Sequence, residues 1–448
     1  MSTIPKLSQA DYKKYTRYLF IFAIVIRQFF ALKGIFCITD HDIGLLDMDG
    51  STPILNDVGH LAYVNFLIEH KAFPAIDMNY TGFPPQFYHP PLFYLIAAFI
   101  KVFVTSCNAS DVVAYEVIQQ VNMIFSCVCL WICKLIMDEI KLSPQSKLIG
   151  MAICGFNPIF TIIGAELNND CLMTMFCLAA LLFTIRFLSD TSWKNVMCIM
   201  VTLVLAILSK TSGVLIAPAI GAAFIYVFVK KASERKSLFV KYLVFGITSI
   251  PLGLSWVVRS YVLYKVPFNY VPVILSKKWQ YLGDYSVVSR LLFPSVKQLT
   301  TFAPDFYDAE SYKNIWGQML HTMAFDEGIL YSPDPVLPLI MLWSILALNV
   351  LLVYLFVRFM FSRVNKENVG IKLVFGFTYV VLLVMFILFA YQYPFVCTVH
   401  YRYIVAAFVV LAIGSCKYLD SAPEKLVKAF SIVVAVSSVF SALVYILY

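Results

Sequence analysis

From Leu373 to Phe389 the chain runs for seventeen residues without one charged side chain. Comparable runs recur along its length. A membrane-spanning helix needs about 20 mostly apolar residues. Lipid admits only helices or closed barrels, because every backbone polar group must be satisfied internally. Barrel strands alternate apolar and polar positions, and these runs do not. The fold class expected is therefore all-α, a polytopic membrane bundle. Composition agrees: 60% of the 448 residues are hydrophobic and 13% are charged, outside the range of soluble domains.

The net charge of +8 suggests nucleic-acid binding at first sight. The basic residues, however, fall in short clusters between the apolar runs, as in positive-inside loops. Lys6, Lys13, Lys14 and Arg17 put the N-terminus inside. Lys141 with Lys147, Arg186 with Lys194, Lys230-Lys231 with Arg235-Lys236, and Lys417 with Lys425 and Lys428 fall on the same side. Between Cys37 and Asp111 eight acidic residues face two lysines, so that segment is expected outside. The first apolar run, Tyr18 to Phe36, lacks a small-residue cleavage site and reads as a retained anchor. Most of the eleven cysteines sit in apolar runs without metal-site spacing and read as small core residues.

Charge and length together give about eleven spans, near 18–37, 113–137, 148–165, 171–187, 195–209, 212–229, 241–263, 335–358, 373–390, 403–416 and 428–446. The run from Pro91 to Val104 is excluded. It is short, and a crossing there would turn the Lys230–Lys236 cluster outward. It is expected to lie at the outer interface, within a long first outer loop, 38–112. A second outer region covers 264–333 and is rich in Trp and Tyr. The expected organisation is a transmembrane module 1–265 that includes the first loop, the outer region 266–333, and closing helices 334–448.

Candidate chemistry clusters on the outer side. Asn56-Asp57-Val58-Gly59-His60 opens an amphipathic stretch, with Asp57 and His60 three residues apart on one face. Asp57 there is either a helix N-cap or a reactive carboxylate. Tyr88-His89-Pro90-Pro91-Leu92 is either a helix start with interfacial anchors or the far wall of the same cleft. Gly164-Ala165-Glu166-Leu167-Asn168-Asn169-Asp170 is a polar turn between two apolar helices, where ionisable groups are costly and usually functional. Lys210, Arg259 and Arg402 stand at outer helix ends, against the charge bias. One could snorkel; three suit an anion such as phosphate. Ser209-Lys210-Thr211-Ser212-Gly213 lacks the glycine spacing of a P-loop.

At Asp57, His89-Pro90-Pro91-Leu92 and Asn168-Asn169-Asp170 the chain resembles the GT-C superfamily of integral-membrane glycosyltransferases, of the protein O-mannosyltransferase and aminoarabinose-transferase type. The resemblance covers residues 15–265 well and the rest loosely, with Arg402-Tyr403 as a late Arg-Tyr motif. The family's acidic motif is often Asp-Glu, and this chain has Asn56-Asp57, of which Asp57 can take a proton. The resemblance implies transfer of a sugar from a polyprenyl-phosphate donor to a glycan, lipid or protein acceptor. Asp57 would be the catalytic base. His60, Tyr88, His89, Glu166, Asp170, Lys210, Arg259 and Arg402 would bind substrate. The residues call for no cofactor; the family has metal-dependent and metal-independent branches. Rival readings are a transporter or lipid flippase, disfavoured by apolar inner helix halves, and a scaffold that has lost its chemistry. The implied location is the bacterial cytoplasmic membrane, or the endoplasmic reticulum if Asn79-Tyr80-Thr81 and Asn108-Ala109-Ser110 serve as glycosylation sequons.

Overall fold

The computed structural model describes residues 8–33, 46–49, 52–55, 59–79, 85–268, 270–272, 281–292, 294, 296–301, 309–326, 335–362 and 368–447. Helix dominates because Leu, Ile, Phe and Val runs can satisfy their backbone only internally in lipid. In chain order α1 is Gln9–Lys33, followed by a two-stranded antiparallel ribbon, β1 Leu46–Asp49 and β2 Thr52–Leu55. Two short outer helices come next, α2 Gly59–His70 and α3 Leu92–Ser106. The bundle then runs through α4 Asp111–Glu139, α5 Pro144–Phe156, α6 Pro158–Ala165, α7 Asp170–Phe187, α8 Trp193–Ser209, α9 Ala217–Lys230 and α10 Arg235–Tyr264. Short helices α11 Val287–Leu291, α12 Val296–Thr300, α13 Ala309–Tyr312 and α14 Ile315–Phe325 precede the closing helices. These are α15 Val336–Phe361, α16 Val369–Gln392, α17 Val405–Leu419 and α18 Glu424–Leu447.

Among the described residues nine helices are long and apolar enough to cross a membrane, or ten with the bent pair α5–α6 taken as one span. The expected count of eleven is thus not reached. Its remaining member, α8, has 17 residues. The expected continuous span 148–165 is broken, with a 43° bend between α5 and α6. The cause is local: Pro158 has no N–H for the helix ladder, and the Asn157 side chain caps α6 by accepting from Ile159 N–H at 3.1 Å. Arg27 of α1 closes the break. Its buried guanidinium donates to the carbonyls of Cys154 and Gly155 at 2.9 and 3.3 Å and to Ser126 at 3.1 Å. Those α5 carbonyls are ones the interrupted ladder leaves for other donors.

The α3 helix is 15 residues long, roughly 22 Å at 1.5 Å per residue, short of a ~30 Å hydrocarbon core. One face, Phe93, Tyr94, Ala97, Ala98 and Lys101, is buried; Leu95, Phe99, Val102 and Phe103 are exposed on the other. Lys101 donates to Asn65 at 2.7 Å and Tyr115 at 2.8 Å and pairs with Asp111 at 2.8 Å, tying α2, α3 and α4 together. We expect α3 to lie at the outer surface without crossing. The exposed Cys107, in the link to α4, is the probe: a membrane-impermeant thiol reagent should label it from outside, and Cys107→Ser should remove the signal. Labelling from the cytoplasmic side alone would overturn this topology.

Candidate active site

The polar turn between α6 and α7 is built from below by α4. Asn122 donates to the Glu166 carbonyl at 2.6 Å and to those of Ile163 and Asn168 at 3.2 and 3.3 Å, and Gln119 donates to Ala165 at 2.9 Å. Asn168 in turn donates to the Glu166 carboxylate, and its own oxygen accepts from Asp170 N–H at 2.9 Å. Asn169 donates to the Ser209 carbonyl at 3.0 Å. That bond fixes the end of α8 beside the turn, with Lys210 as the next residue. The chain can then fold straight back because Gly213 has no side chain: a Cβ there would stand 2.6 Å from the Ala206 carbonyl carbon.

Lys210 reaches Asp170, Nζ to Oδ1 2.6 Å, with side-chain exposures of 12% and 2%. Arg402 lies 3.6 Å from the second Asp170 oxygen and 3.8 Å from Glu166. The two cations flank the Tyr403 ring, at 4.8 and 5.5 Å from its centroid. Four of the expected site residues, Glu166, Asp170, Lys210 and Arg402, therefore meet at one buried cluster. In a low-dielectric interior these charges are tolerable because they are paired.

A second, aromatic cluster gathers three more. His60 Nδ1 is 2.8 Å from the Tyr94 hydroxyl, and the His60 and His89 rings stack at 6.2 Å. Tyr63 stacks on Tyr94 at 4.0 Å, and the Tyr88 carbonyl accepts from Trp256 Nε1 at 3.1 Å. Burial pushes the Tyr63 phenol above its usual range, with Arg259 pulling the other way. Leu167 within the polar turn and Leu172 just after it share one core with Tyr63, Tyr94 and Trp256. The two clusters are thus neighbours across that core.

Arg259 differs from the other two cations. It donates to the Phe73 and Pro74 carbonyls at 3.4 and 3.3 Å and lies over Trp256 at 4.6 Å, Tyr264 at 5.4 Å and Phe73 at 5.7 Å. These partners are neutral. Asp57 lies outside the described residues; Gly59, two residues on, starts α2 at φ 60°.

Residues 88–258 match the family model described as dolichyl-phosphate-mannose-protein mannosyltransferase. The matched stretch contains α3, the polar turn, Lys210 and Trp256. The fold as a whole is similar to that of solved membrane proteins. It matches the Archaeoglobus fulgidus oligosaccharyltransferase with a TM-score of 0.52, 12% identity, and cover of 96% of this chain and 56% of that one. It matches ArnT from Cupriavidus metallidurans, solved with undecaprenyl phosphate, with a TM-score of 0.51, 11% identity, and cover of 96% and 75%. The Saccharomyces cerevisiae Pmt1-Pmt2 complex bound to its sugar donor aligns over 63% of this chain and 36% of that one, with 12% identity and a TM-score of 0.39. The chain thus spans about half the length of the archaeal enzyme. No curated protein matches it in sequence.

Two residues beyond the expected set complete the site. Asp326, at the end of α14, contacts His400 Nε2, and both side chains are fully buried. With Glu166 they form a group whose ligand atoms lie within 4.8 Å of one another, the set among the described residues that could hold a metal ion. The visible signal was slight: His400 stands two positions before Arg402.

Proposed function

We propose that this protein transfers a sugar from a polyprenyl-phosphate donor to an outer-face acceptor, with inversion at the anomeric carbon. The observation that carries the reading is the buried Glu166–Asp170–Lys210–Arg402 cluster, three members of which lie in the stretch that matches the mannosyltransferase family model. Asp57, two residues before α2, takes the proton of the acceptor hydroxyl as that oxygen attacks the anomeric carbon. One base suffices for a single displacement, without a second carboxylate nucleophile. The leaving group is already a phosphate, so no acid is needed.

Arg259, Lys210 and Arg402 supply donors toward the departing phosphate, whose developing charge prearranged cations stabilise. Glu166 and Asp170 hold Lys210 and Arg402 in place. His60, His89 and Tyr88 line the sugar or acceptor side. In this reading the module 1–265 carries the chemistry together with Arg402 from the closing helices 334–448, and 266–333 is a separate outer region. We place the reaction on the extracytoplasmic face of a bacterial cytoplasmic membrane; the endoplasmic reticulum lumen is the equivalent compartment in a eukaryote.

The direct test incubates purified protein with radiolabelled polyprenyl-phosphate sugars and follows release of the free carrier phosphate. Donor that stays intact across the common hexose and pentose forms would overturn the reading. A finer test uses Arg259, whose described partners are neutral. Arg259→Ala should leave folding nearly intact and weaken donor binding by about tenfold, roughly 1.4 kcal/mol. Unchanged donor kinetics would assign this arginine to snorkelling.

A further inference from the structure

The helix α14 ends at Asp326 with a positive φ, φ 56° and ψ −142°, which residues other than glycine adopt at a cost. Tertiary contacts hold it there. The Tyr401 N–H donates to Thr322 Oγ1 at 3.0 Å, and the Tyr445 hydroxyl donates to the Ala324 carbonyl at 2.9 Å. The third contact is the buried Asp326–His400 pair. On its other side the His400 ring caps the 3-10 turn Tyr401–Ile404, its Nδ1 accepting from the Arg402 backbone N–H at 3.1 Å. An acceptor Nδ1 places the ring proton on Nε2, facing the Asp326 carboxylate. The carboxylate therefore sets the tautomer, and the tautomer sets the cap.

We propose that Asp326 and His400 are a positioning pair that fixes Arg402 against the Glu166–Asp170 turn. The function of the pair rests on the reading in which Arg402 serves the donor. The same atoms could be taken for a divalent-cation site, since Glu166, Asp326 and His400 lie close together. The hydrogen bonds argue otherwise. A cation would need the Nε2 lone pair, which moves the proton to Nδ1 and sets it against the Arg402 N–H. The Arg402 guanidinium, 3.8 Å from Glu166, also stands where a second positive charge would be repelled. This pair is how an outer segment far along the chain acts on the α6–α7 turn: through the backbone and side chain of Arg402.

The test is a double-mutant cycle on turnover, joined to nitrogen NMR of the ring. His400→Ala should lower turnover about tenfold in the wild-type background. In the Arg402→Ala background it should cost less than about twofold, because residues acting through one another are non-additive. Equal losses in both backgrounds would overturn the proposal. If His400→Ala does not fold, His400→Asn replaces it: its oxygen retains the cap and it loses the Asp326 contact, so a smaller loss with the same non-additivity is expected. In 15N-histidine-labelled protein, with the His400 signals assigned by comparison with His400→Asn, Nε2 should be protonated and Nδ1 not, unchanged by excess Zn2+. A zinc-induced Nε2 shift that Asp326→Asn abolishes would overturn the pair in favour of a cation site. Wild-type turnover in Arg402→Ala would remove the donor role of Arg402, while the ring-nitrogen pattern would still decide the arrangement of the pair.

Discussion

Asp57→Asn is expected to lower sugar transfer by about a hundredfold or more, within the range of a lost general base, while the protein stays folded and still binds donor. The substitution separates two roles of one carboxylate. Asn caps helices about as well as Asp, so a residue that merely capped α2 would tolerate it. A residue that must accept a proton would not. Initial rates of transfer, with donor binding measured on the same preparation, distinguish the cases. Near-normal transfer would end the catalytic assignment. Donor binding lost together with turnover would move Asp57 to a substrate-holding role.

Lys210→Met should abolish transfer and also destabilise the protein. Removing one member of a buried ion pair leaves the other charge without full compensation, at a cost of about 3–5 kcal/mol. Asp170 is 2% exposed and pairs with Lys210 at 2.6 Å. Arg402, 3.6 Å from the same carboxylate, offsets part of the loss, so the lower end of that range is expected. The companion variant Lys210→Met with Asp170→Leu removes both charges. It should recover most of the stability, since apolar replacement of a buried pair is often neutral or stabilising, and recover none of the transfer. Denaturant midpoints and transfer rates report the two effects independently. A Lys210→Met protein with unchanged midpoint and rate would show that the pair neither holds the turn nor serves the reaction.

These two residues also mark how far the sequence could be read. Leu373 to Phe389 lies within the observed helix Val369–Gln392, because a long apolar run has one stable answer in lipid. The turn from Glu166 to Asp170 stands out for a similar reason: carboxylates at the ends of apolar helices need an explanation. The break at Asn157-Pro158 was missed because the flanking residues are apolar enough to span on either side. Charge patterning sorts residues by membrane face, and it groups Lys210, Arg259 and Arg402 together as outer cations. It says nothing of position around the bundle. Hence the difference between Arg259 on carbonyls and rings and the other two on carboxylates became visible with the fold. Asp326 and His400 are 74 residues apart, and nothing in either local sequence announces that they meet.

The arginine that closes the helix break has a consequence for biogenesis. Arg27 belongs to α1, and its carbonyl partners lie 99 to 128 residues downstream. At synthesis rates of about 5–20 residues per second, roughly 5 to 25 seconds separate its emergence from theirs. During that interval a guanidinium within a nascent span costs about 2.5–3.5 kcal/mol on insertion scales for the helix centre. Arg27 thus gains these hydrogen-bond partners only once α4 and α5 have been made. Replacing Arg27 with Leu would ease the insertion of α1 and leave the carbonyls of Cys154 and Gly155 at the α5–α6 break without this donor, so the residue sets ease of synthesis against a closed helix break.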